Sequence, residues 1–359
     1  MDLSLFFFAD SPAQPVESGG CYDLLLRSAA FADQHGFAAV WTPERHFHAF
    51  GGQYPNPAVV GAALATVTRR VEIRAGSVVA PLHHAARIAE EWAVVDNLSG
   101  GRAGISFASG WHPVDFTLRP EAYQERKALM VEAVATVRAL WRGEAVALPG
   151  PDGGAHEVRT YPRPVRPELP VWITAAGSPD TFRLAGRLGA GLLTHMLSQD
   201  HAALARNVTA YREELTACHG PEARGHVAVM VHSLTGASRE SVRALVRTPL
   251  REYLRSSLDL ILGSSAGPAA GGGAPLRLSA RNEEFLLDSA FERYFDTAGL
   301  FGTVDNGVAA ARALAEAGVD EVACLIDFGV PAADVLAALP GLAEVRDRLA
   351  AAVTAQTRA

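Results

Sequence analysis

Along this chain, short runs rich in β-branched and aromatic residues alternate with longer stretches in which apolar residues recur every three to four positions. The first pattern fits strands and the second fits amphipathic helices. LSLFFF opens the series, followed by a helix in YDLLLRSAAFADQHG that stops at Gly36. AAVWTP precedes NPAVVGAALATVT, where Asn56 stands as N-cap and Pro57 as the first helical residue. VEIRAGSVVA is followed by AARIAEEWAVVDNLSGG, and RAGISFAS by a helix near EAYQERKALMVEAVATVRALW. LPVWITAAG leads to SPDTFRLAGRLG, with Ser178 as N-cap and Pro179 behind it. AGLLTHML leads to AALARNVTAYREELTACHG, and HVAVMVHSLT to helical stretches near 239–261 and 283–297. DEVACLIDFG and AADVLAALPGLAEVRDRLAA close the series. Eight βα pairs in this order predict an α/β fold, a (β/α)8 barrel in one domain over residues 1–359, with its site at the C-terminal strand ends.

Two segments break the rhythm. Residues 143–168, rich in Gly and Pro, read as an excursion before the fifth strand. Residues 262–283, LGSSAGPAAGGGAPLRLSARNE, form a low-complexity insertion in the seventh unit. It is either a flexible surface insertion or a lid over the barrel mouth.

Composition narrows the chemistry. An apolar fraction of 49% with 20% charged residues fits a soluble globular protein, and no apolar run is long enough for a membrane span. MDLSLFFFAD lacks a basic leader and reads as a first strand, so the expected compartment is the cytoplasm. Cys21, Cys218 and Cys324 are far apart and match neither a disulfide framework nor a zinc site. The net charge of −7 is dispersed and no basic stripe appears, which argues against a nucleic-acid partner.

If the strands are placed correctly, Glu44 to His48, Gly76-Ser77, Ser109 to His112, Ala176 to Ser178, His195 and Asp327 converge at the barrel mouth. Gly177 and Ser178 before a helix offer a phosphate site, with Arg126 as a paired cation, although Gly-Ser there is also an ordinary cap. In WTPERHFHAFGG, His46 and His48 lie two apart and are able to share a metal, but no matching ligand pair recurs at other strand ends, so no metal is expected. His48 reads as a backbone cap, and His83 and His84 as residues flanking a helix start. His195 reads either as core-lining or as a site residue.

The blocks GFAAVWTPERHF, GGQYPNP, IRAGSVVAPLHH, EEWAVVDNLSGGRAGISFASGWHPVDF, YQERKALM, PVWITAAGSPDTF and GVDEVACLIDFG, in this order, resemble the bacterial luciferase-like monooxygenases, nearest the natural-product-biosynthesis branch. The resemblance spans about Leu3 to Leu349. It implies FMN at the C-terminal mouth, reduced by a separate flavin reductase and reacting with O2 to a C4a-peroxyflavin. It also implies a homodimer and a small-molecule biosynthetic substrate, free or on a carrier protein. Carried over by position, the non-proline cis peptide falls on Gly76-Ser77, the flavin-contacting segment on Ser109, Gly110 and Trp111, and the phosphate contacts on Arg126 and Ala176, Gly177 and Ser178.

Two positions depart from the family: the arginine that luciferases place at the phosphate near the fourth strand is replaced by Ser109, and the position after the second strand also differs. Luciferases keep Glu-His-His-Phe after the second strand, the first histidine serving as acid/base, whereas this chain has Glu44-Arg45-His46-Phe47. Arg45 cannot accept a proton at neutral pH, so either His46 or His112 takes the role, or Arg45 serves instead as an electrostatic partner for the peroxide or an anionic substrate. Alternatives are an F420-dependent oxidoreductase on the same fold, a non-catalytic flavin-binding relative, and a metal-dependent hydrolase on a similar barrel.

Overall fold

The computed structural model describes residues 1–9, 20–197, 199–265 and 280–357. The first half runs β1 (Asp2–Phe6), α1 (Asp23–Gln34), β2 (Ala39–Thr42), α2 (Pro57–Val67), β3 (Glu72–Val79), α3 (Ala85–Ser99), β4 (Ala103–Ala108) and α4 (Arg126–Arg142). A hairpin of β5 (Val146–Pro149) and β6 (Ala155–Val158) fills the excursion before β7 (Val171–Thr174) and α5 (Pro179–Arg187). Then come β8 (Gly191–His195), α6 (His201–His219), β9 (Val227–Thr235), α7 (Arg239–Ser265), α8 (Ala280–Arg293), β10 (Leu300–Gly302), α9 (Val304–Glu316), β11 (Glu321–Leu325) and α10 (Ala332–Thr357).

Strands β1, β2, β3, β4, β7, β8, β9 and β11 pair in parallel in that order, and β11 returns to β1 with Asp2 opposite Glu321, which closes the barrel. The eight expected strands are these eight. The short β10 was not anticipated; three residues carry too little pattern to announce a strand, and it adds to β9 outside the barrel. Asn56 caps α2 as expected, its Oδ1 accepting from the Ala58 and Val59 amides at 2.9 and 3.1 Å.

The barrel's N-terminal end is held by a buried charge network. Glu321 on β11 accepts from Ser4 Oγ on β1 at 2.5 Å, Trp41 Nε1 on β2 at 2.8 Å and Arg74 Nη1 on β3 at 2.7 Å. The Arg74 guanidinium is sandwiched between the Trp41 and Trp172 rings at 4.8 and 4.5 Å. Burial alone would raise the Glu321 pKa, but Arg74 and the other donors hold it below the usual range. Four strands, β11, β1, β2 and β3, meet at this one carboxylate, which therefore fixes register where no chemistry takes place.

Most of the predicted insertion, 266–279, lies outside the described residues, so the lid expectation has no structural account. Its flanks belong to α7 and α8, which run antiparallel. Arginines recur every fourth position on α7, which places them on one face. They meet α8 and its following turn in reverse order: Arg239 with Asp296, Arg243 with Glu292, Arg247 with Asp288, Arg251 with Glu284 and Arg255 with Glu283. The pairs are half-exposed, so each contributes under about 1 kcal/mol and the row chiefly sets alignment.

Candidate functional site at the barrel mouth

β2 ends at Thr42 and the chain turns back over the mouth, the Arg45 amide donating to the Tyr54 carbonyl at 3.0 Å. Glu44 is buried beneath this turn. Its Oε1 takes His46 Nε2 at 2.8 Å and His83 Nε2 at 2.5 Å, and its Oε2 takes the Val79 amide at 2.7 Å. Burial would raise the Glu44 pKa, yet the hydrogen bonds from the two histidines and Val79 keep it lowered. His83 is raised, because the Glu44 contact outweighs burial. His46 therefore sits where the sequence placed it, but His83 is a correction: it is half of a shared carboxylate clamp, not a residue merely flanking a helix. His84 next to it does what was expected of both, its Nδ1 accepting from the Ala86 amide at 3.3 Å at the start of α3.

His48 Nδ1 accepts the Phe50 amide at 3.0 Å, the expected backbone cap. Among the described residues no group of His, Cys, Asp and Glu is placed to hold a metal ion. Between the two histidines Phe47 adopts φ 55°, a left-handed conformation uncommon for a bulky residue.

Arg45 is buried and donates from Nη1 to Asp115 Oδ2 at 2.5 Å, with its guanidinium 5.6 Å from the Trp111 ring. Its Nε and Nη2, the other Asp115 oxygen and His112 Nδ1 have no partner among the described residues. Burial pushes Asp115 up to about 6 against the pull of Arg45, so the pair is ionic at neutral pH. His112 is lowered by burial and by the Arg45 charge and is neutral there. Three predicted residues, Arg45, Trp111 and His112, thus meet at one side of the mouth, the two rings of Trp111 and His112 edge-to-face at 5.3 Å.

The floor is the Gly76-Ser77 peptide, which is cis, as expected. A Cβ at Gly76 would lie 2.8 Å from the Phe6 ring and 3.2 Å from Trp41, so only glycine fits. Ser77 Oγ lies 2.5 Å from Thr174 Oγ1, which in turn is 2.7 Å from Ser106 Oγ, joining β3, β7 and β4 by hydroxyls. After β4, Ser109 Oγ donates to the Gly110 carbonyl at 3.4 Å. Gly110 has φ 71°, and an added Cβ would approach Val79 at 2.8 Å and Phe116 at 2.9 Å. Gly110→Ala is therefore expected to destabilise the fold by about 1–3 kcal/mol; equal urea midpoints for variant and parent would refute this.

The expected phosphate contacts come from two elements. Arg126 opens α4, donating to the Tyr123 carbonyl at 2.7 Å and stacking on that ring at 4.4 Å. Ala176, Gly177 and Ser178 form the turn before α5, with Gly177 at φ 121° and its carbonyl accepting from Asn207 Nδ2 at 3.3 Å. Ser178 occupies the N-cap position with Pro179 behind it, as expected, although its side chain makes no capping hydrogen bond.

His195 ends β8 and is partly buried; burial holds it down at about 4 and its Nδ1 accepts the Leu197 amide at 3.2 Å.

A family profile described as luciferase-like monooxygenase matches residues 1–321. The chain belongs to that family. Among curated relatives, this luciferase-like chain is 30% identical over 193 residues to the oxygenase component of a flavin-dependent trigonelline monooxygenase of Acinetobacter baylyi, covering 53% of this chain and 52% of that one. It is 34% identical over 179 residues to an F420-dependent glucose-6-phosphate dehydrogenase of Beutenbergia cavernae, covering 47% and 51%. The luciferase-like chain spans about half the length of these relatives. Its fold is similar to that of the solved monooxygenase RslO1 from Streptomyces bottropensis, with TM-score 0.79, 24% identity and coverage of 96% and 98%.

Three polar residues of this luciferase-like mouth escaped the sequence reading: Asp115, Thr174 and His232. Asp115 and Thr174 sit among polar neighbours that look like ordinary loop and strand-end residues. His232 is buried inside an apolar strand, both ring nitrogens without a partner among the described residues, and is held down at about 3 by burial and by His195. A histidine in the interior of HVAVMVHSLT gives no hint of this.

Proposed function

We propose that this chain is the oxygenase of a two-component, FMN-dependent monooxygenase acting on a natural-product biosynthetic intermediate. The observation that carries the reading is the pairing, on one turn after β2, of a carboxylate-held His46 with an Arg45 that keeps two buried N–H groups unpartnered. The residues at the mouth fit a flavin. In this reading the Gly76-Ser77 peptide backs the flat ring, Ser109, Gly110 and Trp111 border it, and Arg126 with the Ala176–Ser178 turn takes the phosphate at the α5 N-terminus. Reduced flavin, when bound, supplies the electrons that activate O2. Glu44 holds the proton of His46 at Nε2 and leaves Nδ1 as the atom that takes or returns a proton. Arg45 and His112 stabilise negative charge developing on oxygen or substrate.

A separate flavin reductase, a substrate free or tethered to a carrier protein, and a homodimer belong to the same reading. The dimer would pack through the exposed Val59, Val67, Val94 and Leu98 of α2 and α3. Titrations with FMN and with F420, followed by oxygen uptake with reduced FMN and candidate substrates, test the proposal. Tight FMN binding and substrate-dependent uptake are expected. Tight F420 binding with no uptake would replace it with hydride transfer, the second reading, which the F420-dependent relative supports. FMN binding with no substrate-dependent uptake would make the chain a non-catalytic flavin binder.

A further inference from the structure

A cavity of about 240 Å³ lies between the β1–α1, β2–α2 and β11–α10 connections and the middle of α7, room for roughly eight waters at liquid density. It is on the β11, β1 and β2 side of the mouth, across from the turn before α5. Phe7, Tyr54, Tyr253 and Phe328 give it aromatic walls. Its polar centre is Asp327, a buried carboxyl at the end of β11. Asp327 Oδ1 accepts the Phe8 amide at 2.7 Å, and Oδ2 accepts the Ala9 amide at 3.0 Å and Tyr54 Oη at 2.9 Å.

All three partners of Asp327 are neutral. A second carboxylate, Glu252, stands exposed at the rim, and among the described residues no Lys, Arg or His lines the cavity. A hollow with aromatic walls, two acids and no cation disfavours an anionic ligand and favours a donor-bearing one. Burial, only partly offset by the three donors, pushes Asp327 up to about 7, so a ligand N–H or O–H directed at it would relieve an unfavourable charge. Tyr253 and Phe328 also pack edge-on against His232, at 4.7 and 5.3 Å, whose unpartnered nitrogens mark this wall as polar behind its rings.

We propose that this cavity is the substrate subsite, and that it takes a one- or two-ring compound, neutral or amine-bearing, whose O–H or N–H group is presented to the Asp327 carboxyl. The assignment of the cavity to substrate rests on the monooxygenase reading; the ligand chemistry rests on the cavity itself.

Four probes of one size test it on the full chain: p-cresol, tyramine, 4-methylanisole and 4-hydroxyphenylacetate, with dissociation constants from ligand-observed NMR. p-Cresol and tyramine are expected to bind about tenfold more tightly than 4-methylanisole, which lacks the donor, and 4-hydroxyphenylacetate most weakly. Ala332→Trp, at the exposed rim, is expected to abolish binding of all four. Glu252→Lys is expected to weaken tyramine several-fold and strengthen 4-hydroxyphenylacetate. Equal affinities across the four probes, or binding indifferent to Ala332→Trp in a protein with an unchanged melting temperature, would overturn the proposal. FMN titration alongside separates the two claims. Loss of FMN binding with the probe order intact sinks the monooxygenase reading and leaves the ligand chemistry standing, while FMN binding with a flat probe order sinks only the present inference.

Discussion

Replacing Glu321 with alanine is expected to cost about 3–5 kcal/mol of folding stability, more than any other single change considered for this chain. The carboxylate is wholly buried and is the anionic partner of Arg74, whose guanidinium stays trapped between Trp41 and Trp172 once the acid is gone. Glu72 still meets Arg74 at 2.8 Å from a half-exposed position, which tempers the loss. Ser4 Oγ and Trp41 Nε1 would lose their acceptor as well. Urea unfolding measures the change. The same experiment on Glu321→Met with Arg74→Met should recover much of it, because removing both partners leaves no orphaned charge. A loss below about 1 kcal/mol in the single variant would show that the network does not hold the barrel.

Glu44→Gln is expected to lower substrate-dependent oxygen uptake by about a hundredfold or more while flavin affinity changes little. The glutamine keeps the shape but offers one carbonyl where the carboxylate takes His46, His83 and the Val79 amide. It would also turn an NH2 group toward one of these donors, so the proton on His46 would no longer be held at Nε2. The raised pKa of His83 depends on the same carboxylate and should fall back in the variant. The sign follows: in the parent, His83 stays protonated above its ordinary range through the Glu44 contact, and the variant loses that proton at lower pH. NMR titration of the histidine rings reads this directly. Rates within about threefold of the parent, or an unchanged His83 titration, would remove Glu44 from its assigned place.

The sequence by itself determined the local elements of this protein. Strand and helix alternation and the Asn56 cap follow from periodicity and from backbone geometry, which act within a few residues. Blocks of residues near the strand ends also placed the mouth and named its family. What only the tertiary structure decided are the partnerships. His83 reaches Glu44 from 39 positions away and Asp115 reaches Arg45 across 70, while Glu321 joins Ser4 across 317. None of these is legible locally, because each depends on the register in which distant strands close the barrel. Ser178 shows the converse: its sequence neighbourhood looks like a capping site, yet its side chain makes no capping bond. Short-range rules set which elements form, and barrel closure sets which buried charges and hydrogen-bond donors find one another.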